Sequence, residues 1–168
     1  NIGINKSLNC GIELAKGEYI ARMDGDDVSL PNRLLEQVAF MDSHPDIGIA
    51  GSWVKVIGDK TEYVWEYETD PDNVKASILF GASLAHPTVI MRKSLLDKYN
   101  LRYRDHGFSE DYEMWSRTSE YFPMTNMGKV LLNYRVSGEI RSSVFLDHVS
   151  QASQEVRERL IKKLGIEP

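Results

Sequence analysis

The sequence predicts a single domain of α/β or α+β class built on a mixed sheet flanked by helices. Three features of the chain point there. Segments of helical and of strand periodicity follow one another along all 168 residues, without a long run of either kind. The composition is 42% apolar with no biased tract, enough to bury a core. An apolar run, Tyr19-Ile20-Ala21-Arg22-Met23, ends on Asp24-Gly25-Asp26-Asp27, the pattern of a strand with a crowded acidic tip.

Each element has its own signature. Asn5 to Lys16 reads as a helix with Leu8, Ile12 and Ala15 on one face, and Gly17 as its stop. Gly11 interrupts that helix, as a close approach by backbone or ligand would require. The strand from Glu18 to Met23 follows. A helix over about Leu30 to Ser43 carries Leu34, Val38 and Met41 at helical spacing, and His44-Pro45 ends it. Ile47 to Ile57 and Thr61 to Tyr67 flank Gly58-Asp59-Lys60, a hairpin signal. Asp70-Pro71 pairs an N-cap with a first-turn proline and opens a helix to about Phe80. A strand from Pro87 to Arg92, a short helix from Ser94 to Tyr99 and a helix from Glu110 to Tyr121 come next. A strand over Val130 to Val136 precedes a helix from about Leu146 to Leu164, striped by Val149, Ala152, Val156 and Leu160 and ended by Gly165.

The bulk properties exclude several classes. The net charge is −5 with a pI near 5.4 and no Lys/Arg cluster, which argues against a nucleic-acid partner. The single Cys10 excludes an internal disulfide and a cysteine-based zinc site, and suits a reducing compartment. No stretch approaches the roughly 18 to 20 apolar residues that span a bilayer. The chain opens on Asn1-Ile2-Gly3 rather than Met, and reads as the middle of a longer protein.

The acidic tip carries the chemistry. Two unit charges about 6 Å apart repel by roughly 3 kcal/mol at an effective dielectric near 20. A bound cation or a helix N-terminus offsets that cost. Hard oxygen donors suit Mg²⁺ or Mn²⁺, which keep positions for phosphate oxygens, so the natural ligand is a metal-bound diphosphate. Turn chemistry is the plainer alternative, with Asp27 or Ser29 capping the next helix. A calcium loop is excluded, because Val28, Ser29 and Leu35 stand where that loop needs an oxygen ligand, a Gly and a Glu.

A second acidic pair, Glu110-Asp111, sits at a helix start with Ser109 as a cap. Either the pair complements the helix dipole, or one carboxylate is a general base at the rim of a cleft. His86, extended before Pro87, serves packing or a polar contact. Arg33 reads as an ion-pair partner of Asp27. Trp53, Trp65 and Tyr67 read as core or hairpin packing, with a sugar-stacking platform as the alternative. Arg157, Glu158, Lys162 and Lys163 read as a solvated helix face.

The order of these motifs resembles the family 2 glycosyltransferases. The similarity begins with Asn1-x-Gly3 and Ser7-Leu8-Asn9-x-Gly11-Ile12, and runs through Ala15-x-Gly17-Glu18 into Asp24-x-Asp26-Asp27. It continues through Pro31-x-Arg33-Leu34, His86-Pro87-Thr88-Val89, Glu110-Asp111-Tyr112-Glu113-x-Trp115 and Tyr134-Arg135. The resemblance implies a GT-A fold, a nucleotide-diphosphate sugar donor, a divalent metal (Mn²⁺ or Mg²⁺) and inversion at the anomeric carbon. It implies a glycan or lipid-linked acceptor. Carried onto this sequence, Asp26 is the main metal ligand and Asp24 lies near the metal or the donor ribose. Asp111 is the base with Glu110 beside it. Asn1, Gly3 and Asn9 lie on the donor side, and His86 and Arg135 are candidates for acceptor or phosphate contacts.

Two departures accompany the resemblance. Ser137 stands near the place where such members often carry a His, leaving Arg135, Arg141 or Ser142 as substitutes. The family's first nucleotide-binding strands are expected before Asn1, so residues 1–168 read as one partial domain holding the metal and catalytic half. An unpaired edge on the Glu18 to Met23 strand then invites pairing with a second copy or with a preceding segment. The expected location is cytoplasmic, peripheral to the inner face of a membrane. A sugar nucleotidyltransferase and a non-catalytic module that keeps the fold are the alternatives.

Overall fold

The computed structural model describes residues 2–58, 62–104, 109–136 and 143–165, with side chains of the last segment from residue 151. The elements run α1 (Ile4–Leu14), β1 (Tyr19–Ala21), β2 (Val28–Ser29), α2 (Arg33–Ser43), β3 (Ile49–Ile57), β4 (Tyr63–Trp65) and α3 (Pro71–Ser77). A 3₁₀ turn (His86–Thr88), β5 (Ile90–Arg92), α4 (Lys93–Lys98), α5 (Glu110–Thr118), β6 (Met124–Arg135) and α6 (Ser143–Lys163) follow.

The sheet is mixed, as expected, in the order β1-β5-β3-β6-β2 with β4 beside β3. β3 and β6 form a parallel spine, from Ile49 opposite Met124 to Ile57 opposite Arg135, with register shifts around Trp53. The other pairings are antiparallel: β5 takes the start of β3, β4 its end, and β1 pairs with β5. β1 is therefore an end strand, in keeping with the expected open edge.

Alternation along the strands builds a core on each face. Ile49 and Met91 point into the larger cluster with Ile12, Val74, Trp115 and Val156. Their neighbours Ala50 and Ile90 point the other way, against Met41 of α2. At Asp70 the cap reading holds: its Oδ1 accepts from the N–H groups of Asp72 and Asn73, both at 3.0 Å.

Several expectations are corrected. The segment at Ser29 is not a helix start but β2, paired with β6 through Val28–Asn133 and Ser29–Leu132. β6 begins six residues before the apolar run at Val130, because polar Thr125 and Asn126 are buried strand residues. The buried face of α2 is Arg33, Gln37 and Met41, whereas Leu34 and Val38 are exposed. A Cβ at Gly11 would meet open space, so no close approach explains that glycine. α1 ends at Leu14, ahead of Gly17.

Candidate active site

The acidic tip is the turn between β1 and β2, and both sides of it are fastened. The Arg22 N–H donates to Val89 O at 3.0 Å as the chain leaves β1. Arg135, at the end of β6, clamps the tip twice: its N–H donates to Asp27 Oδ1 and its Nε to Asp26 O, each at 2.9 Å. Arg33 supports the tip from beneath. It is only 2% exposed, and its guanidinium donates to Arg22 O at 2.7 Å and to Gln37 Oε1 at 3.0 Å. Gln37 passes the link on to Thr88 O at 2.7 Å. Arg33 is thus spent on a carbonyl and an amide, and the expected direct pair with Asp27 is replaced by electrostatic support across a short gap.

The three carboxylates of the tip differ. Asp27 is buried, and neither it nor Ser29 caps α2, whose N-cap is Asn32. Burial raises the Asp27 carboxyl above the usual range, the Arg135 N–H opposes this, and Asp24 and Asp26 add to the rise. Its Oδ2 is buried with no hydrogen-bond partner. Asp24 is held by Arg22, whose Nη1 lies 2.6 Å from Asp24 Oδ2. The Asp26 side chain is exposed.

The second acidic pair opens α5, where the helix dipole favours negative charge. Burial pushes Asp111 up to about 6, and the neighbouring charge of Glu110 adds to it. The Tyr112 N–H, 2.7 Å from Asp111 Oδ1, and the Arg22 charge pull the other way. Ser109 does not cap the helix through its side chain; its hydroxyl pairs with that of Ser153 on α6 at 3.0 Å.

His86 stands behind this pair. Its Nδ1 is 4.0 Å from Glu110 Oε1, its Nε2 is 2.9 Å from the Tyr103 hydroxyl, and its ring meets Trp115 edge-on. Burial, with Arg22 second, lowers His86 to about 3, so the ring is neutral at pH 7. Tyr103 is fixed in turn by Asn9, whose Nδ2 donates to Tyr103 O and whose Oδ1 accepts from Tyr103 N–H, both at 2.8 Å. The expected donor-side Asn9 thus spends its amide on positioning Tyr103. Gly3 is the α1 N-cap at φ 84, and its carbonyl accepts from Ser7. Asn1, Ser137, Arg141 and Ser142 lie outside the described residues.

Arg22 joins the two acidic groups. Its charge acts on Asp27 as well as on Asp111 and His86, while its guanidinium holds Asp24. Nothing in the residue-by-residue reading singled it out. The readable signal was an arginine inside an otherwise apolar strand run.

The tip fits a hard divalent cation in part. Its donors are carboxylates, and the orphaned Asp27 Oδ2 shows an acidic site with unspent acceptor capacity. Among the described residues no three His, Cys, Asp or Glu side chains converge on one point. That suits an ion held by one or two carboxylates and completed by substrate phosphates.

Comparison with known proteins decides the family. The profile described as Glycosyl transferase family 2 matches residues 1–122. The chain belongs to glycosyl transferase family 2. Within that family it is 34% identical to the O-antigen biosynthesis glycosyltransferase WbnJ of Escherichia coli, over 94% of this chain and 63% of that protein. The fold matches S. aureus TarS in complex with UDP-GlcNAc at a TM-score of 0.67 and 17% identity, over 91% of this chain and 46% of that one. It matches the mannosyltransferase PcManGT from Pyrobaculum calidifontis, in complex with GDP-Man and Mn²⁺, at a TM-score of 0.66 and 13% identity, over 96% and 44% of the two chains. The fold is GT-A, as the resemblance implied. The chain spans 53% to 63% of the length of the first curated relatives it matches. Among the described residues no helix is long and apolar enough to cross a membrane.

Proposed function

We propose that this family 2 chain is the metal and catalytic half of an inverting glycosyltransferase that moves a sugar from a nucleotide-diphosphate donor to a hydroxyl of a glycan or lipid-linked acceptor. The observation that carries the reading is the coupling of two acidic groups through Arg22: a fastened tip for the diphosphate side, and a carboxylate at about 6 for the acceptor side. Asp26, with Asp24, would hold Mg²⁺ or Mn²⁺, which supplies positive charge to the departing diphosphate. TarS and PcManGT, solved with UDP-GlcNAc and with GDP-Man and Mn²⁺, support a nucleotide-sugar donor and a divalent ion.

The chain's own residues do the rest. Asp111, unprotonated at neutral pH, takes the proton of the acceptor hydroxyl as its oxygen bonds to the anomeric carbon. The bond from that carbon to the diphosphate breaks on the opposite face, which inverts the centre. Glu110 keeps Asp111 basic by like-charge proximity. Neutral His86, anchored by Tyr103, backs Glu110 without adding a positive charge. Arg135 keeps the tip shaped for the metal-bound diphosphate.

The test is transfer from UDP- and GDP-sugars to a mixed glycan acceptor pool, measured for the wild-type protein and Asp111→Asn. Transfer by the wild type with a loss of about 10²- to 10⁴-fold in the variant is the expected result. Equal rates would remove Asp111 as the base.

A further inference from the structure

A shallow groove of about 540 Å³ lies along the segment that follows β4. Trp65 and Tyr67 stack there with ring centroids 5.6 Å apart and planes 15° from parallel, so that Tyr67 backs Trp65 at the groove floor. Trp65 is 50% exposed, and Phe80, which also lines the groove, is 82% exposed. Packing therefore leaves Trp65 and Phe80 exposed, whereas Tyr67 is partly buried against the cluster of Val54, Val56, Ala85 and Leu132.

The floor is held rigid from below. Three successive carbonyls of the segment each accept a side-chain hydrogen bond from the spine strands. Trp53 Nε1 donates to Tyr67 O at 2.9 Å, Asn126 Nδ2 to Glu68 O at 2.9 Å, and Thr125 Oγ1 to Thr69 O at 2.5 Å. Fixed supports of this kind preorganise a binding surface. Ser83, 5% exposed, also lines the groove, and its hydroxyl has no hydrogen-bond partner.

We propose that this groove is a saccharide subsite, in which a neutral sugar ring of the acceptor stacks on Trp65, backed by Tyr67, and hydrogen-bonds to Glu66 and Glu68. The chemistry selects that class. The C–H face of a pyranose carries partial positive charge and matches the negative face of an aromatic ring. Carboxylates accept hydrogen bonds from sugar hydroxyls. No Lys or Arg lines the groove among the described residues, which disfavours uronate and phosphate groups. Tyr67 also lies within electrostatic range of the candidate base, since the charge of Asp111 contributes, after burial and Tyr134, to raising its hydroxyl. The inference rests on the glycosyltransferase reading and adds to it the class of acceptor and the place where it binds.

The experiment titrates the protein with cellobiose, lactose and chitobiose as neutral probes, with a glucuronate-containing disaccharide and with n-octanol. Binding is read by saturation-transfer NMR and tryptophan fluorescence, and separate UDP, GDP and dTDP titrations are run on the same sample. The expected result is binding of at least one neutral disaccharide, weakened at least tenfold in both Trp65→Ala and Phe80→Ala, with the glucuronate probe weaker. Both substituted residues are exposed, so the variants are expected to fold, and far-UV circular dichroism checks this. The subsite is overturned if no neutral disaccharide binds, if binding survives both substitutions, or if octanol alone binds. Saccharide failure with nucleotide binding intact overturns the subsite alone. Failure of the saccharides together with UDP, GDP and dTDP also overturns the transferase reading beneath it.

Discussion

Arg22 Nη1 lies 2.6 Å from Asp24 Oδ2, so the acidic tip carries its own counter-charge before any ligand arrives. The same guanidinium opposes the upward push that burial and Glu110 exert on Asp111. One arginine therefore acts on the diphosphate side and on the base together. Its carbonyl, held by buried Arg33, keeps the strand end in place beneath it.

The pH dependence of transfer follows from this arrangement. Asp111 sits at about 6 and must be unprotonated to accept a proton, so kcat/KM falls as pH drops below that value. Removing the positive charge of Arg22 raises Asp111 further. Arg22→Gln is expected to move the acid limb of the pH–rate profile to higher pH, and an unmoved limb would disconnect the two residues.

The base also costs stability. The folded-state value of Asp111 lies above its ordinary 3.8, so the native state holds a proton that the unfolded chain has already lost between 3.8 and about 6. Stability from this group declines as pH rises through that window and stays reduced above it. Asp111→Asn is expected to lose activity yet melt at a higher temperature than the wild type at pH 8, as differential scanning fluorimetry will report.

Much of what was legible in the sequence came from local chemistry. Asp70-Pro71 announced α3 because a capping carboxylate and a proline without an N–H suit a helix start independently of the rest of the fold. The acidic tip was legible for the same reason. The buried face of α2 was not, because apolar spacing pointed to Leu34 and Val38, while Arg33 and Gln37 go inside to satisfy the carbonyls of Arg22 and Thr88. Thr125 and Asn126 hid the first half of β6 in the same way, as polar residues buried to tie down the segment after β4. In each case a long-range hydrogen bond overrode the hydrophobic period. The pairing of Arg22 with both acidic groups is likewise a tertiary fact, visible only once β1 and α5 are placed.

Acid should unfold this protein through two groups of like sign. Glu113 is 1% exposed; burial works to raise it, but Arg117 at 2.8 Å and Arg159 at 3.3 Å hold it below the usual range. Its contribution is present at neutral pH and lost as pH falls through the carboxylate range. His86, at about 3 in the native state against 6.5 when free, resists a proton that the unfolded chain accepts, so stability falls as pH drops from 6.5 toward 3. Chemical denaturation of Asp111→Asn between pH 7 and 4 is expected to show this slope, which in the wild type the opposite slope of Asp111 offsets between about 6 and 3.8. Glu113→Ala, which removes the buried carboxylate shared by Arg104, Arg117 and Arg159, is expected to cost about 3 kcal/mol at pH 7.

Gly48 is a packing requirement. A Cβ built there would lie 2.1 Å from Phe122 Cδ2, inside the ring's own volume. Gly48→Ala is expected to destabilise by about 1 to 3 kcal/mol in urea unfolding. Gly11→Ala, at an open helical position, should stabilise by about 0.5 to 1 kcal/mol.

The most direct test of the central claim is calorimetric titration with UDP, GDP and dTDP, each with and without Mn²⁺, beside Asp26→Ala. The account predicts that one nucleotide binds, that Mn²⁺ tightens it, and that the metal effect disappears in the variant. Nucleotide binding indifferent to both Mn²⁺ and Asp26 would contradict the assignment of the acidic tip to a metal-bound diphosphate.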